Sequence, residues 1–283
     1  AAVAKGRKIM HLPFAVGAIA IFYSPPAGVS AAASAIKLDV CTLAKIFSHT
    51  ITTWNDAAIT ALNPGFAGSG AINVVHRILG SSSTTGFTEY LAAACPASWT
   101  LGSGSTITWP STTVGAQGSA GVSAVITATA GSIGYIDAGH GHAAGLKEIS
   151  LTNQAGVSVT SKTASLSDTV ATALSAAPSI IPTDPAADWS GVNLYNLGGS
   201  TAWPITMLSY FYIEADFANK YPAGAAGKAH PPMSAALLRA FLEWTLSAEG
   251  QTSLEAFAFA KLPATMVTYN TATLNAVKWP TVG

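Results

Sequence analysis

The stretch VVHRILGSSSTTGFTEYL, residues 74–91, joins a predicted strand to a predicted helix through a serine-rich turn. The apolar run over 72–79 predicts the strand, and apolar residues at helical spacing predict a helix over 85–95. Backbone N–H groups at the start of a helix lack intrahelical partners, and the helix dipole favours negative charge there. This order of elements is typical of an anion-binding turn.

The residues of this turn supply hydrogen-bond donors for an anion. Arg77 has a planar guanidinium that suits phosphate or sulfate, and Ser81, Ser82 and Ser83 add hydroxyls after Gly80. We take Arg77 and the three serines as the candidate binding residues. In the alternative interpretation, the serines only cap the helix and the arginine is a solvated surface residue. The motif G-x-x-x-x-G-K-S/T is absent from the sequence, which excludes a nucleotide-type P-loop.

The composition narrows the class of protein and of partner. The chain has 283 residues, enough for one large domain or two ordinary ones. Charged residues make up 9%, and 13 basic residues balance 13 acidic ones, so the net charge is zero. This balance argues against nucleic acid and against an anionic membrane surface as partners. So few charges favour a secreted or surface-displayed protein, and zero net charge favours self-association.

Strand and helix patterns alternate along the chain. The longest apolar run, LPFAVGAIAIFY at 12–23, is too short to span a membrane and predicts a buried strand. Residues 121–130 fit a helix or a strand, and 145–160 fit a β-hairpin around Asn153. The remaining predicted elements are strands over 131–139 and 203–213 and helices over 38–50, 52–63 and 234–251. This alternation predicts an α/β protein with largely parallel or mixed sheets.

Cysteines and histidines suggest little chemistry outside the turn. Cys41 and Cys95 either pair with each other or remain two separate buried thiols, and the sequence leaves both alternatives open. His140 and His142 follow a strand that ends near Asp137, but no third metal ligand is evident, so we interpret them as surface loop histidines. No G-x-S-x-G elbow and no pair of catalytic carboxylates stands out. We therefore expect no metal, no cofactor and no enzymatic activity.

Several segments together resemble the PstS-type periplasmic phosphate-binding proteins, the receptor component of bacterial phosphate uptake. The segments are KIFSHTITTWNDAAITALNPG (45–65), the R-x-x-G-S turn at 77–81, WPSTTVGAQGSAGV (109–122) and GSIGYIDAGHG (131–141). They occur in the family's order, and the resemblance extends over essentially the whole chain. It implies a two-lobed periplasmic-binding-protein-like (type II) α/β fold, in which both lobes close around one phosphate.

The resemblance also implies roles for the turn residues. Arg77 matches the family's arginine, and Gly80 and Ser81 match the first two residues of its G-S-G-T turn. Ser82 replaces the next glycine, and Ser83 replaces the threonine while keeping a hydroxyl. The phosphate-binding residues that the resemblance implies are therefore Gly80 and the four residues that the turn itself suggests.

Two departures from the family shape the expected architecture. Leu79 stands where the family has an acidic residue that helps hold the arginine. The family's N-terminal segment has no counterpart in this sequence. We therefore expect a complete α/β lobe over 18–205 that carries the turn, and a partial lobe formed by 1–17 and 206–283.

The expected function is non-enzymatic binding of inorganic phosphate, or a similar oxyanion, in a cleft between the lobes. A companion polypeptide or an N-terminal precursor fragment is expected to complete the first lobe by packing on 203–213 and 254–263. A membrane transporter and self-assembly are further candidate partners, and the expected location is extracellular, periplasmic or at the cell surface. The alternative is a structural or assembly protein that reuses the fold with weakened or lost phosphate binding. An enzyme such as a phosphatase is disfavoured because no nucleophile is paired with a base.

Overall fold

The apolar run LPFAVGAIAIFY lies within strand β1 (Ile9–Tyr23) of the computed structural model, which describes residues 8–30, 35–175, 179–220, 232–257 and 259–280. Residues 219 and 220 are described by their backbone only. Leu12, Ile21 and Phe22 are fully buried. Successive side chains on a strand face opposite sides of the sheet, so an uninterrupted apolar run requires cover on both faces. The predicted strand over 12–23 is confirmed.

The described strands form two sheets. After β1, they follow in chain order as β2 (Lys37–Leu38), β3 (Asn73–Arg77), β4 (Val114–Ala116), β5 (Ser132–Asp137), β6 (Lys147–Glu148), β7 (Ser150–Thr152), β8 (Ser158–Val159) and β9 (Thr206–Glu214). The larger sheet has the order β4-β3-β5-β1-β6, with β9 also paired to β1, and the smaller has the order β2-β7-β8. β3 runs parallel to β4 and β5, whereas β1 runs antiparallel to β5 and β6. The larger sheet is therefore mixed, as the sequence predicts.

Helices connect and flank these strands. They are α1 (Val40–Phe47), α2 (Ala57–Leu62), α3 (Ser82–Ala94), α4 (Gly118–Ala128), α5 (Ala138–Ala143), α6 (Leu166–Ser175), α7 (Phe217–Lys220), α8 (Pro232–Leu246), α9 (Ala248–Ser253) and α10 (Ala264–Ala276), with a 3-10 helix over Leu254–Phe257. The predicted α/β class is confirmed. Within the described parts of the chain, none of these helices has both the length and the apolar character needed to cross a membrane.

The chain divides into two compact units. The central unit comprises Gly17–Thr169 and Leu194–Met207, and the terminal unit comprises Ala1–Val16, Val170–Asn193 and Leu208–Gly283. These units group Val170–Asn193 with the chain ends, whereas the sequence predicts that this segment belongs to the lobe over 18–205. The lobe boundaries stay a prediction, and all five candidate anion-binding residues lie in the central unit.

Local capping decides where the early helices begin. The Asp39 carboxylate accepts the Thr42 N–H at 2.6 Å, and the Asp56 carboxylate accepts the Ala58 N–H at 2.8 Å. A capping residue stands outside the helix with non-helical backbone angles. Both α1 and α2 are therefore shorter than the helices predicted over 38–50 and 52–63.

The prediction of a single helix over 234–251 is wrong, because the chain forms the two helices α8 and α9 there. Ser247 stands between them with an extended backbone, and its hydroxyl accepts the Gly250 N–H at 3.1 Å. A serine in this position caps a new helix more readily than it continues an old one.

Two segments with open or approximate predictions are settled by the structure. Residues 121–130 belong mostly to helix α4 rather than to a strand. Within 145–160, β7 and β8 form an antiparallel hairpin, and the Asn153 side chain accepts the Ala155 and Val157 N–H groups in its turn. An asparagine that bonds its own following backbone in this way is a common turn former.

The two cysteines form a disulfide. Cys41 lies in α1 and Cys95 follows the last residue of α3, and their Cα atoms are 5.4 Å apart. The question that the sequence left open is therefore answered in favour of pairing, and both residues lie in the central unit.

Candidate anion-binding site

Arg77 is the last residue of β3, where that strand leaves the sheet. On one side of the strand, the Ile78 N–H donates to the Ala116 carbonyl at 3.1 Å. On the other side, the pairing with β5 extends only as far as Val75. Beyond it, the Arg77 N–H donates to the Tyr135 hydroxyl at 3.3 Å. The backbone of Arg77 is thus held from both neighbouring strands.

Helix α3 begins directly after the turn and presents its N-terminus there. Ser81 is the capping residue, and its hydroxyl oxygen accepts the Ser83 N–H at 3.2 Å. The Ser81 N–H donates to the Ser105 carbonyl at 3.1 Å. The N–H groups of Ser82 and Thr84 have no hydrogen-bond partner among the described residues. Unpartnered N–H groups at a helix start favour an anion.

The candidate serines differ in exposure. Ser81 and Ser83 are 8% and 9% exposed, whereas Ser82 and Gly80 are exposed to solvent. Ser81 caps the helix, as the alternative interpretation expects. Capping uses an oxygen lone pair and leaves the hydroxyl hydrogen free to donate. Helix capping and anion binding are therefore compatible at this residue.

The Arg77 side chain contains an unpartnered donor. Its Nε atom is buried and has no hydrogen-bond partner in the described structure. No carboxylate of a described residue forms an ion pair with this guanidinium. A buried donor without an acceptor destabilises a fold, so each such atom calls for an explanation. An oxyanion at the turn would supply the acceptor.

The residues between the arginine and the glycine are apolar and exposed. Ile78 and Leu79 expose 52% and 54% of their surface. Leu79 is the position at which the resemblance expects an acidic residue, and its exposed aliphatic side chain can neither pair with Arg77 nor repel an anion. The positive charge of the guanidinium is therefore not offset from this position.

Tyr135 and Thr84 border the candidate site, and neither is among the residues predicted from the sequence. The Tyr135 hydroxyl lies 2.7 Å from Thr84 Oγ1, and both side chains are fully buried. Burial raises the pKa of Tyr135, while its bonds to Thr84 and to the Arg77 backbone lower that pKa in part. A tyrosine in a buried strand needs a partner for its hydroxyl. That requirement is the signal in GSIGYIDAG that could have found it.

Aromatic rings pack around Tyr135. Phe87 of α3 stacks on its ring at a centroid distance of 4.4 Å, and Trp109 lies at 5.9 Å. Trp109 stacks in turn on His76 at 4.9 Å. Burial lowers the pKa of His76, which favours the neutral imidazole in this stack. The rings hold the tyrosine hydroxyl at a fixed place beside the turn.

The two histidines outside the turn lie in a helix rather than in a surface loop, which corrects our interpretation. Asp137 caps α5 by accepting the His140 N–H at 3.1 Å. His142 Nε2 lies 3.4 Å from Glu148 Oε2 and 2.9 Å from Ser161 Oγ. Across the described residues, no three potential metal ligands of the His, Cys, Asp or Glu type cluster together.

Burial shifts both members of this His–Glu pair towards their neutral forms. It raises the pKa of Glu148 to about 7. It also lowers the pKa of His142 to about 4, with a further contribution from the charge of Lys162. The two side chains are 13% and 6% exposed, and none of the hydrogen bonds given for this pair reaches a turn residue in the described structure.

Comparison with known proteins places this geometry in context. The family model described as the PBP superfamily domain matches residues 1–249. Phosphate-binding protein PstS of Xylella fastidiosa (strain 9a5c) is 34% identical over 176 residues, which are 59% of this chain and 44% of that protein. Phosphate-binding protein PstS3 of Mycobacterium bovis (strain BCG / Pasteur 1173P2) is 31% identical over 276 residues, which are 96% of this chain and 68% of that protein.

Solved structures share the fold. A high affinity periplasmic phosphate-binding protein (PfluDING), solved with phosphate bound, has a TM-score of 0.65 and 22% identity, over 97% of this chain and 78% of that one. The two-lobed periplasmic-binding-protein fold is therefore confirmed. The chain spans about half the length of several relatives that it matches, between 44% and 50% of them.

Proposed function

We propose, because this chain belongs to the PBP superfamily and to its PstS-like members, that the protein binds inorganic phosphate or a similar oxyanion without catalysing a reaction. The observation that carries the proposal is Arg77, whose buried Nε lacks a partner directly before the open N-terminus of α3. The relatives named above are phosphate-binding proteins by name. Both the local chemistry and the family support the same ligand.

Each candidate residue has a distinct part in the proposed site. Arg77 offers a planar fork that matches two oxygens of a phosphate. Ser81 and Ser83 offer hydroxyl hydrogens from positions that are largely shielded from water. Gly80 and Ser82 are exposed parts of the turn, and the unpartnered N–H of Ser82 adds a backbone donor. These groups are all donors, so they select an anion with several acceptor oxygens.

A binding role is favoured over the two other candidate functions. The named relatives are binding proteins, which supports a non-enzymatic function for this chain. A structural or assembly protein with lost phosphate binding would have no use for a buried, unpartnered arginine donor. The alternative is therefore not favoured.

We infer an extracellular, periplasmic or cell-surface location. The disulfide between Cys41 and Cys95 supports an oxidising compartment, since such bonds are rare in the reducing cytosol. The structural relative named above is periplasmic by its description. A membrane transporter that receives the bound phosphate would be the corresponding partner.

We also infer a polypeptide partner for the terminal unit. Met233, Leu237, Phe241 and Trp244 of α8 lie on one helix face and are 71%, 73%, 47% and 43% exposed. A helix stripe of this kind normally faces a core. The solved relative is longer than the part that this chain matches. A companion polypeptide or an N-terminal precursor fragment of the same fold would cover the stripe.

The exposed apolar surface lies on α8, whereas the sequence led us to expect that a companion packs on 203–213 and 254–263. In that segment, Trp203, Ile205 and Leu208 are already buried within the described structure. Tyr212 and, in the other expected segment, Phe257 are exposed at 65% and 71%. The proposed partner surface is therefore centred on α8 rather than on the strand.

Calorimetric titration with inorganic phosphate tests the proposed function. Arg77→Ala should lower the affinity by more than about tenfold, because it removes charged hydrogen bonds. Arg239→Ala is the control, since Arg239 is a partly exposed arginine of α8 that is paired with Glu243 and lies outside the turn. Its affinity should equal that of the unmodified protein. Equal affinities for both variants would show that the turn only caps a helix, and no heat with the folded unmodified protein would exclude phosphate as the ligand.

A further inference from the structure

The Tyr135 hydroxyl joins the two ends of the anion turn. It accepts the Arg77 N–H at 3.3 Å, at the end of β3, and it lies 2.7 Å from Thr84 Oγ1, in the first turn of α3. The six residues 78–83 lie between those two contacts. One side-chain oxygen on a neighbouring strand therefore spans the whole candidate turn.

The contact to Arg77 takes the place of a missing sheet bond. Alternate N–H groups along a strand point to opposite sides. The Ile78 N–H points to β4 and bonds the Ala116 carbonyl, so the Arg77 N–H points to β5. Regular pairing with β5 ends at Val75, and the Tyr135 hydroxyl meets the next N–H on that side. Without this hydroxyl, the end of β3 would have no partner on its β5 side.

The ring of Tyr135 is held by contacts that do not involve its hydroxyl. Tyr135 is fully buried, and its ring stacks on Phe87 with an interplanar angle of 13°. Trp109 covers the ring as well, at 5.9 Å. Removing the hydroxyl oxygen alone would leave these ring contacts in place. The effect of the hydroxyl can therefore be separated from that of the ring.

We propose that Tyr135 is a positioning residue that holds the anion turn in its binding geometry through the Arg77 backbone and the Thr84 hydroxyl. This inference rests on the proposed function. Tyr135 contacts no part of the ligand in this proposal. It acts by fixing the strand end that carries the guanidinium against the helix start that carries the serines, so the donors are ordered before an anion arrives. Preorganised donors bind more tightly because less conformational freedom is lost on binding.

The test compares Tyr135→Phe with Tyr23→Phe in the 283-residue chain. Tyr23 is a matched control, because it is 1% exposed, belongs to the central unit, and its hydroxyl lies near Ile36 instead of the turn. Titration with inorganic phosphate should show an affinity about tenfold lower for Tyr135→Phe, and no change for Tyr23→Phe. Thr84→Val should lower the affinity too, and combining it with Tyr135→Phe should add little, because both remove the same contact.

Amide hydrogen exchange supplies a second readout that needs no phosphate. The Arg77 N–H should exchange about tenfold faster in Tyr135→Phe than in the unmodified protein, while Tyr23→Phe should leave it unchanged. If Tyr135→Phe has the same phosphate affinity and the same Arg77 exchange rate as Tyr23→Phe, the positioning role is overturned. If the unmodified protein binds no phosphate, the proposed function fails, and the exchange rates still decide whether the hydroxyl orders the turn.

Discussion

Cys41 in the first turn of α1 is covalently joined to Cys95, the residue that closes α3. The opposite end of α3 forms the candidate anion site. The bond therefore holds one end of the helix whose other end presents the donors. The two cysteines are 54 residues apart in sequence, so the bond closes a long loop of the unfolded chain.

Replacing both cysteines by alanine should lower the free energy of unfolding of the central unit. For a loop of this length, the chain-entropy argument gives a loss of about 4 kcal/mol. Denaturant unfolding of the double variant measures the loss, and reduction of the unmodified protein with dithiothreitol should reproduce it. The free energy of phosphate binding to the folded variant should change less than the free energy of unfolding, since neither cysteine belongs to the turn. A stability within about 0.5 kcal/mol of the unmodified protein would show that the bond adds nothing.

Gly141 and Gly121 should respond in opposite ways to the same substitution. A Cβ at Gly141 would lie 2.2 Å from Cε2 of the buried Phe22 ring, whereas a Cβ at Gly121 would meet nothing closer than 3.7 Å. Gly141→Ala should therefore destabilise the protein by about 1–3 kcal/mol through overpacking. Gly121→Ala should stabilise it by up to about 1 kcal/mol, because alanine is the better helix former. Thermal unfolding measures both, and a stabilised Gly141→Ala would contradict the close packing of α5 on β1.

The sequence predicts those parts of the fold that depend on local patterns. The strand β1 is recognisable because burial on both faces leaves a continuous apolar run, and the amphipathic helices are recognisable because burial on one face leaves a period of about 3.6 residues. Helix ends were less predictable, because Ser247 caps a new helix within what looks like a continuous one. In the site, Arg77 and the serines are adjacent in sequence and were found together. Tyr135 is 58 residues from Arg77, so its contact depends on the pairing of β3 with β5, which no local pattern reveals.

His142 and Glu148 should cancel each other's effect on the pH dependence of stability. Folding raises the pKa of Glu148 from 4.5 to about 7. The stability that Glu148 contributes is therefore present below pH 4.5 and is lost as the pH rises to 7. Folding lowers the pKa of His142 from 6.5 to about 4. The stability that His142 contributes is therefore present above pH 6.5 and is lost as the pH falls to 4. Between pH 4.5 and pH 6.5, the pair carries one proton in the folded state and one in the unfolded state. The proton is on Glu148 in the folded protein and on His142 in the unfolded chain. The pair should then give almost no slope.

Single substitutions should uncover the two opposite slopes. In His142→Gln, the free energy of unfolding should fall as the pH rises from 4.5 to 7, because only Glu148 remains. In Glu148→Gln, it should fall as the pH drops from 6.5 to 4. Ser161 and Lys162, which also face the pair, are unchanged in both variants. Urea unfolding at a series of pH values measures the slopes relative to the unmodified protein, and slopes of the same sign in both variants would refute the assignment.

The exposed stripe of α8 should be covered in the protein's native setting. Leu237 and Phe241 are 73% and 47% exposed, and uncovered apolar surface of this kind favours association. Native mass spectrometry of the protein from its natural source should detect a companion polypeptide or a longer precursor, and Leu237→Ser with Phe241→Ser should release a companion. Val157→Ser, which changes an exposed apolar residue of the central unit, should keep it. A homo-oligomer would indicate self-assembly instead. A monodisperse monomer that has no companion and unfolds cooperatively would show that the stripe needs no partner.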